Sequence, residues 1–300
     1  MNTQIFHIHA LSALHVGVGQ AIGVVDLPIM RARATNLPIV PGSAIKGVLR
    51  DEFAGNDHQQ TLFGPENISD SKAAHAGAIA LGDAHLLILP VRSLAGIVAF
   101  VTCPFVLSGY AQDQQRANPE CVKTKELRNH VVKLDLNPET CMVGTSSVCK
   151  ANAQKVVLED LDLSINPAQE SVATIIAQYI SQRLHPGDSN TEWQALFAKH
   201  FVIVTDDVFS FLADTATEVR ARIRIKNETG IVEEGALWYE ENLPAESVLW
   251  GAVGFGPARN QSGKSQTDVH KHFTEGIGNE RTIQIGGKAT VGRGLVRFIV

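Results

Sequence analysis

Asp26 is the residue of this chain whose type and setting best suit catalysis. It follows a glycine-rich segment at residues 15–23 and precedes Pro28, with apolar neighbours on both sides. A loop carboxylate of this kind could hold a divalent ion or accept a proton from a hydroxyl group. It could equally cap the turns of its own loop, which is a common role of aspartate. The residues alone leave both roles open.

Three further residues could assist such an acid. His15 could act as a partner base, although a single histidine usually has a structural role. Glu240 and Glu241, in the segment WYEENLP, could supply carboxylates or simply lie exposed in a loop. Two other histidines flank Lys271 without a ligand motif, and we expect them on the surface. The candidate catalytic residues are Asp26, His15, Glu240 and Glu241.

A first glycine pattern follows the start of the chain. Gly17, Gly19 and Gly23 superficially resemble a dinucleotide-binding fingerprint. That fingerprint must open a helix whose N-terminus holds the pyrophosphate. Pro28 and Pro38 follow instead, which argues against a dinucleotide site.

A second pattern approaches a phosphate-binding P-loop. Residues 258–265 read ARNQSGKS, where Lys264 would reach the phosphates, and FVIVTD at residues 201–206 could be the magnesium-binding strand. A P-loop domain needs βα units after the motif to build its parallel sheet. The chain ends at Val300, too soon after this motif for several such units. A nucleotide-binding protein therefore stays the weaker alternative.

A third pattern, GGKATVGRG, occupies residues 286–294, which we call the glycine loop. Glycines let a backbone approach a phosphate chain closely, and turning amides can form an anion-binding nest. Lys288 and Arg293 add positive charge. A plain glycine hairpin would leave the same pattern.

Charge is unevenly distributed along the chain. The net charge of −5 argues against a broad nucleic-acid surface, because phosphate binding is mostly electrostatic. Residues 258–300, however, carry seven lysines or arginines against three acids. This pattern suits a protein that grips a phosphate backbone along one face.

Composition indicates a globular protein of the cytoplasm. The 300 residues, 44% of them hydrophobic, suffice for one large domain or two small ones with a sizeable core. No apolar run approaches the ~18 residues of a membrane span, and the N-terminus does not resemble a signal peptide. The four cysteines form no CxxC pair, so we expect reduced thiols.

Hydrophobic periodicity predicts the elements of the N-terminal part. Residues 4–11 alternate and indicate a half-buried strand. Ser43 is expected to cap a helix that buries an apolar face and shows Lys46 and Arg50 on another. Residues 78–91 and 95–103 are expected to form two neighbouring strands.

Later segments alternate irregularly between helix and strand. Residues 171–184 and 191–200 suit helices, whereas residues 108–155 are polar and hard to assign. Residues 218–226 alternate between apolar and basic positions and return after a turn as a second strand. The basic face could contact RNA or only solvent. Strands that look hairpin-connected favour an α+β fold.

Several spaced segments together resemble one known family. They are DLPI, PGSAIKGVLR, TLFG, LPVRSLAG, EEGALWYEENLP and GGKATVGRG. In type and order they are similar to the RAMP proteins of CRISPR systems, in particular the nuclease backbone subunits of type III-B (Cmr) complexes. The glycine loop marks only the superfamily, and the block from DLPI to KGVLR is much more specific.

The resemblance implies a fold. We expect a single domain over residues 1–300 with a modified ferredoxin-like (RRM-like) core, inserted helical lobes and a thumb-like hairpin. The core would comprise about residues 1–107 and 212–300, and the insertion with the thumb about residues 108–211.

The resemblance also implies roles for individual residues. Asp26 matches the catalytic aspartate of the family and could contact the metal, while His15, Glu240 and Glu241 fall in regions linked to cleavage. RNA-binding positions are expected in the helix after PGS and in the glycine loop, namely Ser43, Lys46, Arg50, Gly286, Gly287, Lys288, Thr290, Gly292 and Arg293.

The function implied is guide-directed RNA cleavage in antiviral defence. Copies of the subunit would stack along a guide RNA, join other effector subunits, and cut complementary target RNA at regular intervals with Mg²⁺ or Mn²⁺. A purely structural RNA-binding subunit without nuclease activity is the alternative. No membrane partner is expected.

Overall fold

The computed structural model describes residues 2–19, 25–66 and 74–300. Its helices are α1 (Gly42–Glu52), α2 (Gln59–Phe63), α3 (Pro104–Ala117), α4 (Val122–Val131), α5 (Glu170–Leu184), α6 (Thr191–His200), α7 (Asp206–Thr215) and α8 (Gln266–Ile277). Its strands are β1 (Asn2–Ala10), β2 (Ile39–Val40), β3 (Ile79–Leu81), β4 (Ala84–Ser93), β5 (Ile97–Thr102), β6 (Thr140–Val143), β7 (Lys150–Asn152), β8 (Lys155–Leu158), β9 (Leu161–Ile165), β10 (Phe201–Val204), β11 (Glu218–Ile225), β12 (Val232–Asn242), β13 (Val248–Phe255), β14 (Glu280–Gln284) and β15 (Leu295–Ile299).

One large sheet organises the molecule. Its strand order is β14-β15-β1-β13-β4-β5-β10-β6-β9-β8-β7, with β2 beside β4 and β3 beside β13. Among the named strand pairs, β10 with β5 and β6 with β9 are parallel, and the remaining pairs are antiparallel. The fold is therefore mixed α/β with mainly antiparallel pairing, as an α+β class predicts.

Part of this sheet closes on itself. The path from β4 through β5, β10, β6 and β9 reaches β8, and β8 pairs back with β4 at Ser93 and Leu158. Six strands thus form a ring whose interior residues are buried. Strands β6, β8, β9 and β10 come from residues 140–204, so much of the segment expected as an insertion is part of the main sheet.

Strands β11 and β12 form a separate two-stranded sheet. Their register pairs Ala221 with Tyr239 and Ile223 with Leu237 on one face. Arg222 and Trp238 pair on the other face. This hairpin was predicted from residue alternation, and the structure confirms it. It lies C-terminal to residues 108–211, where the thumb was expected.

Three local expectations need correction. β1 is not half-buried, because Tyr110 of α3 covers His7. The Tyr110 hydroxyl and His7 Nε2 form a hydrogen bond of 2.9 Å. The strand expected at residues 78–91 is divided into β3 and β4. Ser43 does not cap α1, which begins at Gly42 after Pro41 and has no side-chain cap.

The structure also argues against both nucleotide-binding patterns. β13, which precedes the P-loop-like residues 258–265, pairs antiparallel with its neighbours, and β10 does not lie beside it. None of the described residues between 15 and 41, namely 15–19 and 25–41, is helical. Gly23 lies outside the described residues.

A single hydrophobic cluster runs from Ile5 to Ile299. The four cysteines are free thiols, and three of them are buried. Within residues 2–19, 25–66 and 74–300, no helix is long and apolar enough to cross a membrane.

Candidate functional site

A short segment carrying Asp26 forms the centre of the site. We call residues 25–31 the strap. Its backbone pairs on one side with residues 16–18, where Met30 N–H donates to the Val16 carbonyl at 2.7 Å. On the other side it lies parallel to the end of β12, bridging Leu27 to Glu240. The strap therefore acts as an extra strand between two fixed segments, which defines where Asp26 is presented.

The Asp26 side chain is exposed at the edge of this arrangement. Its Oδ2 accepts a hydrogen bond from the Tyr239 backbone N–H at 2.7 Å. Leu27 N–H donates to the carbonyl of the same Tyr239 at 3.1 Å. One carboxylate oxygen is thus held by β12, and the carboxylate as a whole faces solvent, where an external hydroxyl group or cation can reach it.

His15 lies beneath the strap, with an exposed fraction of 6%. Its Nδ1 is 2.7 Å from the Glu241 carbonyl oxygen, which can only accept, so Nδ1 carries the proton and Nε2 is the free ring nitrogen. A Cβ atom at Gly17 would lie 2.7 Å from that Nε2. Gly17 is therefore required by close packing against His15. The structure brings His15 next to the strap but buries it.

Glu241 is not an exposed loop acid, because it is 6% exposed at the end of β12. Its Oε2 accepts from the Ile29 N–H at 3.1 Å. Its Oε1 accepts from Arg31 Nη2 at 2.6 Å and from the Thr217 hydroxyl at 3.0 Å. Both oxygens are occupied by groups that hold the strap and the start of β11.

Glu240 is even more deeply buried, at 1% exposure. Its oxygens lie 3.6 Å from Arg222 Nε and 3.5 Å from Arg293 Nε. The carboxylate is enclosed between one guanidinium from β11 and one from the glycine loop. Both glutamates are therefore buried, and the alternative that they are exposed loop acids is wrong.

The glycine loop lies beside His15. Gly287 N–H donates to the His15 carbonyl at 2.9 Å, and a Cβ at Gly286 would lie 2.3 Å from that oxygen. Gly286, Lys288 and Gly292 have positive φ angles. Residues 286–292, including Thr290, are exposed, so their backbone can meet a ligand. Arg293 is 7% exposed and faces Glu240, so it does not point at solvent.

The expected RNA contacts on α1 form a second group. Ser43 and Lys46 line a cavity of about 410 Å³ together with Gly42, Arg259 and residues 76–81. No acidic side chain lines this cavity among the described residues. Arg50 is directed elsewhere, because its guanidinium donates to the Gly64 carbonyl and joins α1 to the end of α2. Lys46 and Arg259 are therefore better placed for an anion than Arg50.

The described residues contain no group of three or more His, Cys, Asp or Glu side chains that could hold a metal ion. Asp26 supplies one exposed carboxylate, whereas both nearby glutamates face arginines. A preformed divalent-ion site thus does not fit the residues of the strap. Mg²⁺ is commonly bound by one or two carboxylates together with substrate phosphates, so Asp26 could contribute to an ion that arrives with a substrate.

Arg31 is the site residue that sequence reasoning missed. Nothing in the segment IMRARATN distinguishes it from Arg33, two positions later. In the structure Arg31 is largely buried and makes four hydrogen bonds, whereas Arg33 is exposed.

Comparison with known proteins identifies the family. The model of the RAMP superfamily matches residues 7–297. The CRISPR system Cmr endoribonuclease Cmr4 of Pyrococcus furiosus is 32% identical over 304 residues, covering 99% of this chain and 95% of the relative. The CRISPR system CMR subunit Cmr4 of Saccharolobus solfataricus is 23% identical and covers 98% and 94%.

Solved structures agree with this relationship. The crystal structure of oligomeric Cmr4 from Pyrococcus furiosus superposes with a TM-score of 0.73 at 25% identity, covering 100% of this chain and 97% of the other. A chain in the cryo-EM structure of type III-B Cmr-beta bound to cognate target RNA has the same fold, with a TM-score of 0.74, 18% identity and coverage of 99% and 96%. Over essentially its whole length, this chain belongs to the RAMP superfamily and is similar to the Cmr4 subunits of type III-B CRISPR systems.

Proposed function

We propose that this protein is a guide-RNA-binding backbone subunit of a CRISPR ribonucleoprotein and cuts complementary target RNA at regular intervals. The observation that carries the proposal is the exposed Asp26 carboxylate, held by Tyr239 on a strap beside the glycine loop. The relative named an endoribonuclease, 32% identical over nearly the whole chain, supports an RNase activity.

The proposal divides RNA binding between two surfaces. The exposed amides of the glycine loop and the Ser43–Lys46–Arg259 cavity would grip the guide backbone. Backbone contacts give affinity without reading sequence, which suits a complex in which base pairing supplies specificity. The core of the fold would be a modified ferredoxin-like sheet, with copies of the chain stacked along the guide and joined by other subunits.

The hairpin β11–β12 would be the thumb of the subunit. It stands apart from the main sheet, and both of its faces are largely exposed. It returns to the main body next to the strap, where Tyr239 contacts Asp26. A hairpin that enters the guide–target duplex would therefore splay target nucleotides close to this carboxylate.

The chemistry proposed for Asp26 is proton transfer in strand cleavage. When a nucleotide is splayed, its 2′-oxygen can align with the adjacent phosphorus for in-line attack. Asp26 would accept the 2′-hydroxyl proton as the 2′-oxygen bonds to phosphorus, while Tyr239 N–H fixes the orientation of its carboxylate. The P–O5′ bond would break, which leaves a 2′,3′-cyclic phosphate on one fragment and a 5′-oxygen that takes a proton from water on the other. His15 and Glu241 would support the strap from below. Dependence on Mg²⁺ or Mn²⁺ is part of the proposal: Asp26 would be the group of the strap able to contact an ion that arrives with the RNA, and the ion would supply positive charge near the phosphate.

The test is cleavage of end-labelled complementary RNA by a guide-loaded complex. Wild type should give a ladder of evenly spaced cuts that EDTA abolishes. Asp26→Asn keeps an oxygen for Tyr239 N–H but removes the base, so we expect a rate loss of about 10²–10⁴-fold with unchanged target binding. Asp207→Asn, an exposed acid on α7, is the matched control. Binding without cuts in wild type would leave a purely structural RNA-binding subunit.

A further inference from the structure

We propose that Arg31, through Glu241, is a positioning residue that fixes Asp26 relative to the root of the hairpin. The root comprises Thr217, where β11 is about to begin, and Glu241, near the end of β12. This inference rests on the proposed function, because it explains how that same site is held in its active geometry.

Several separate segments of the chain meet at the Arg31 guanidinium. Arg31 Nη2 donates to Glu241 Oε1 at 2.6 Å and to the Ala213 carbonyl at 3.0 Å. Its Nη1 donates to Asp214 Oδ1 at 3.1 Å and to the Asn36 carbonyl at 2.9 Å. One side chain therefore joins β12, the strap, the turn that follows the strap, and the last turn of α7.

Glu241 forms the other half of the Arg31–Glu241 pair, which we call the clamp. Its Oε2 accepts from Ile29 N–H, three residues after Asp26, and its Oε1 also accepts from the Thr217 hydroxyl. The carboxylate thus holds the strap and both strands of the hairpin root. Because the Arg31 and Glu241 side chains are only 17% and 8% exposed, water screens the pair weakly.

The position of the Asp26 carboxylate depends on the position of the strap. Among the residues that the structure describes, the exposed carboxylate has one hydrogen-bond partner, the Tyr239 N–H, so its position depends on how the strap lies against β12. The strap contacts β12 through Leu27 and Ile29. Asp26 precedes these two contacts in the chain, and Arg31 follows them. Backbone bonds such as Met30 N–H to Val16 would still hold the strap, but loss of the clamp would loosen it against β12 and let the carboxylate shift. A misplacement of about 1 Å can cost roughly 10²-fold in rate.

The chain provides a matched control. Arg33 lies two residues further along the same segment, is exposed, and has no ion pair or side-chain hydrogen bond among residues 2–19, 25–66 and 74–300. Arg33→Gln removes the same charge from the same loop without breaking the clamp. Arg31→Lys keeps a cation for Glu241 but cannot serve four acceptors with one planar fork.

The experiment measures the single-turnover cleavage rate with guide-loaded complex in saturating excess over target RNA, and target affinity in a separate titration. We expect Arg31→Gln to lower the cleavage rate about 10–10²-fold, with target affinity within about threefold of wild type. The cleavage rate of Arg31→Lys should lie between those of Arg31→Gln and wild type. The rate of Arg33→Gln should match wild type. A purely structural role would instead weaken assembly and target binding together with the rate.

Hydrogen exchange of the free protein gives a readout independent of activity. In Arg31→Gln, the amides of Leu27, Ile29 and residues 239–241 should exchange faster, and in Arg33→Gln they should not. If wild type cuts and Arg31→Gln cuts equally fast, the positioning role is wrong while the proposed function stands. If wild type does not cut, while Asp26→Asn and wild type bind target alike, the proposed function fails and the positioning role fails with it.

Discussion

The main sheet and the hairpin β11–β12 use similarly apolar strands in opposite ways. In β13 every residue except Ala252 is buried, and its side chains belong to the continuous core. In the hairpin, Val219, Ile223 and Leu237 remain about half exposed, at 50%, 49% and 54%. Burial of such side chains is what stabilises a fold, so the hairpin contributes little of this stabilisation to the isolated chain.

The root of the hairpin, unlike its outer part, is buried. Glu240, Glu241 and Asn242 are buried there, and arginines from distant parts of the sequence enclose the two carboxylates. The hairpin therefore combines a fixed base with an exposed outer part. This difference suits a proposed thumb whose outer part adapts to RNA while its base sets the position of Asp26.

The comparison is tested most strongly by the same substitution in both regions. Leu249→Ala, in β13, removes a side chain with 0% exposure and should lower the free energy of unfolding by about 2–5 kcal/mol. Leu237→Ala, in the hairpin, should change it by less than about 0.5 kcal/mol. Urea unfolding of the two variants measures both values. Equal losses would mean that the apolar face of the hairpin is packed in the isolated chain.

Acid should lower the stability of the main sheet through a buried histidine, a type of residue that the hairpin lacks. Burial lowers the pKa of His7 in β1 to about 3, and the hairpin, residues 218–242, contains no histidine. The unfolded chain binds this proton near pH 6.5 and the folded chain does not, so stability falls as the pH drops from about 6.5 towards 3. At pH 5 the expected cost of His7 is about 2 kcal/mol.

The measurement compares urea unfolding at pH 7.5 and 5.0 in wild type and His7→Gln. Burial also lowers the pKa of His185 to about 4, so only the difference between the two proteins reports His7. The loss of stability on acidification should be about 2 kcal/mol smaller in His7→Gln. His85→Gln, which alters an exposed histidine of β4, should behave like wild type. Identical pH dependence in wild type and His7→Gln would show that Tyr110 does not shield His7 from water.

Sequence patterns predicted elements whose determinants are local. The expected strand at residues 218–226 and its turn correspond to β11, and the helix expected at residues 171–184 corresponds to α5. In these segments alternation or helical spacing is complete within one element. The Cmr-like fold was likewise accessible through motifs that are continuous in the chain.

The same patterns failed where distant segments decide the outcome. Glu240 and Glu241 are buried because the strap and Arg293, more than 50 positions away in either direction, cover the end of β12. β3 and β4 are separate because α1 begins against them. A Cβ at Gly42 would lie 2.4 Å from the Leu81 carbonyl, and Asp83 accepts from Gly42 N–H. Arg31 could not be singled out, since its four partners come together only in three dimensions.

The smallest expected effect concerns which region of the protein contacts the guide RNA. We expect Lys46→Ala, in the α1 cavity, to weaken binding of guide RNA to the protein and to reduce the slope of log affinity against log salt by about 0.7, the value for one phosphate contact with a single strand. Arg224→Ala, on the hairpin, should leave the slope for guide RNA unchanged, because Arg224 lies 3.7 Å from Glu233 on a hairpin expected to meet the duplex. Filter binding over a salt series measures both slopes. An equal reduction in Arg224→Ala would mean that the hairpin also grips the guide, and the division between a guide-holding body and a duplex-contacting hairpin would no longer hold.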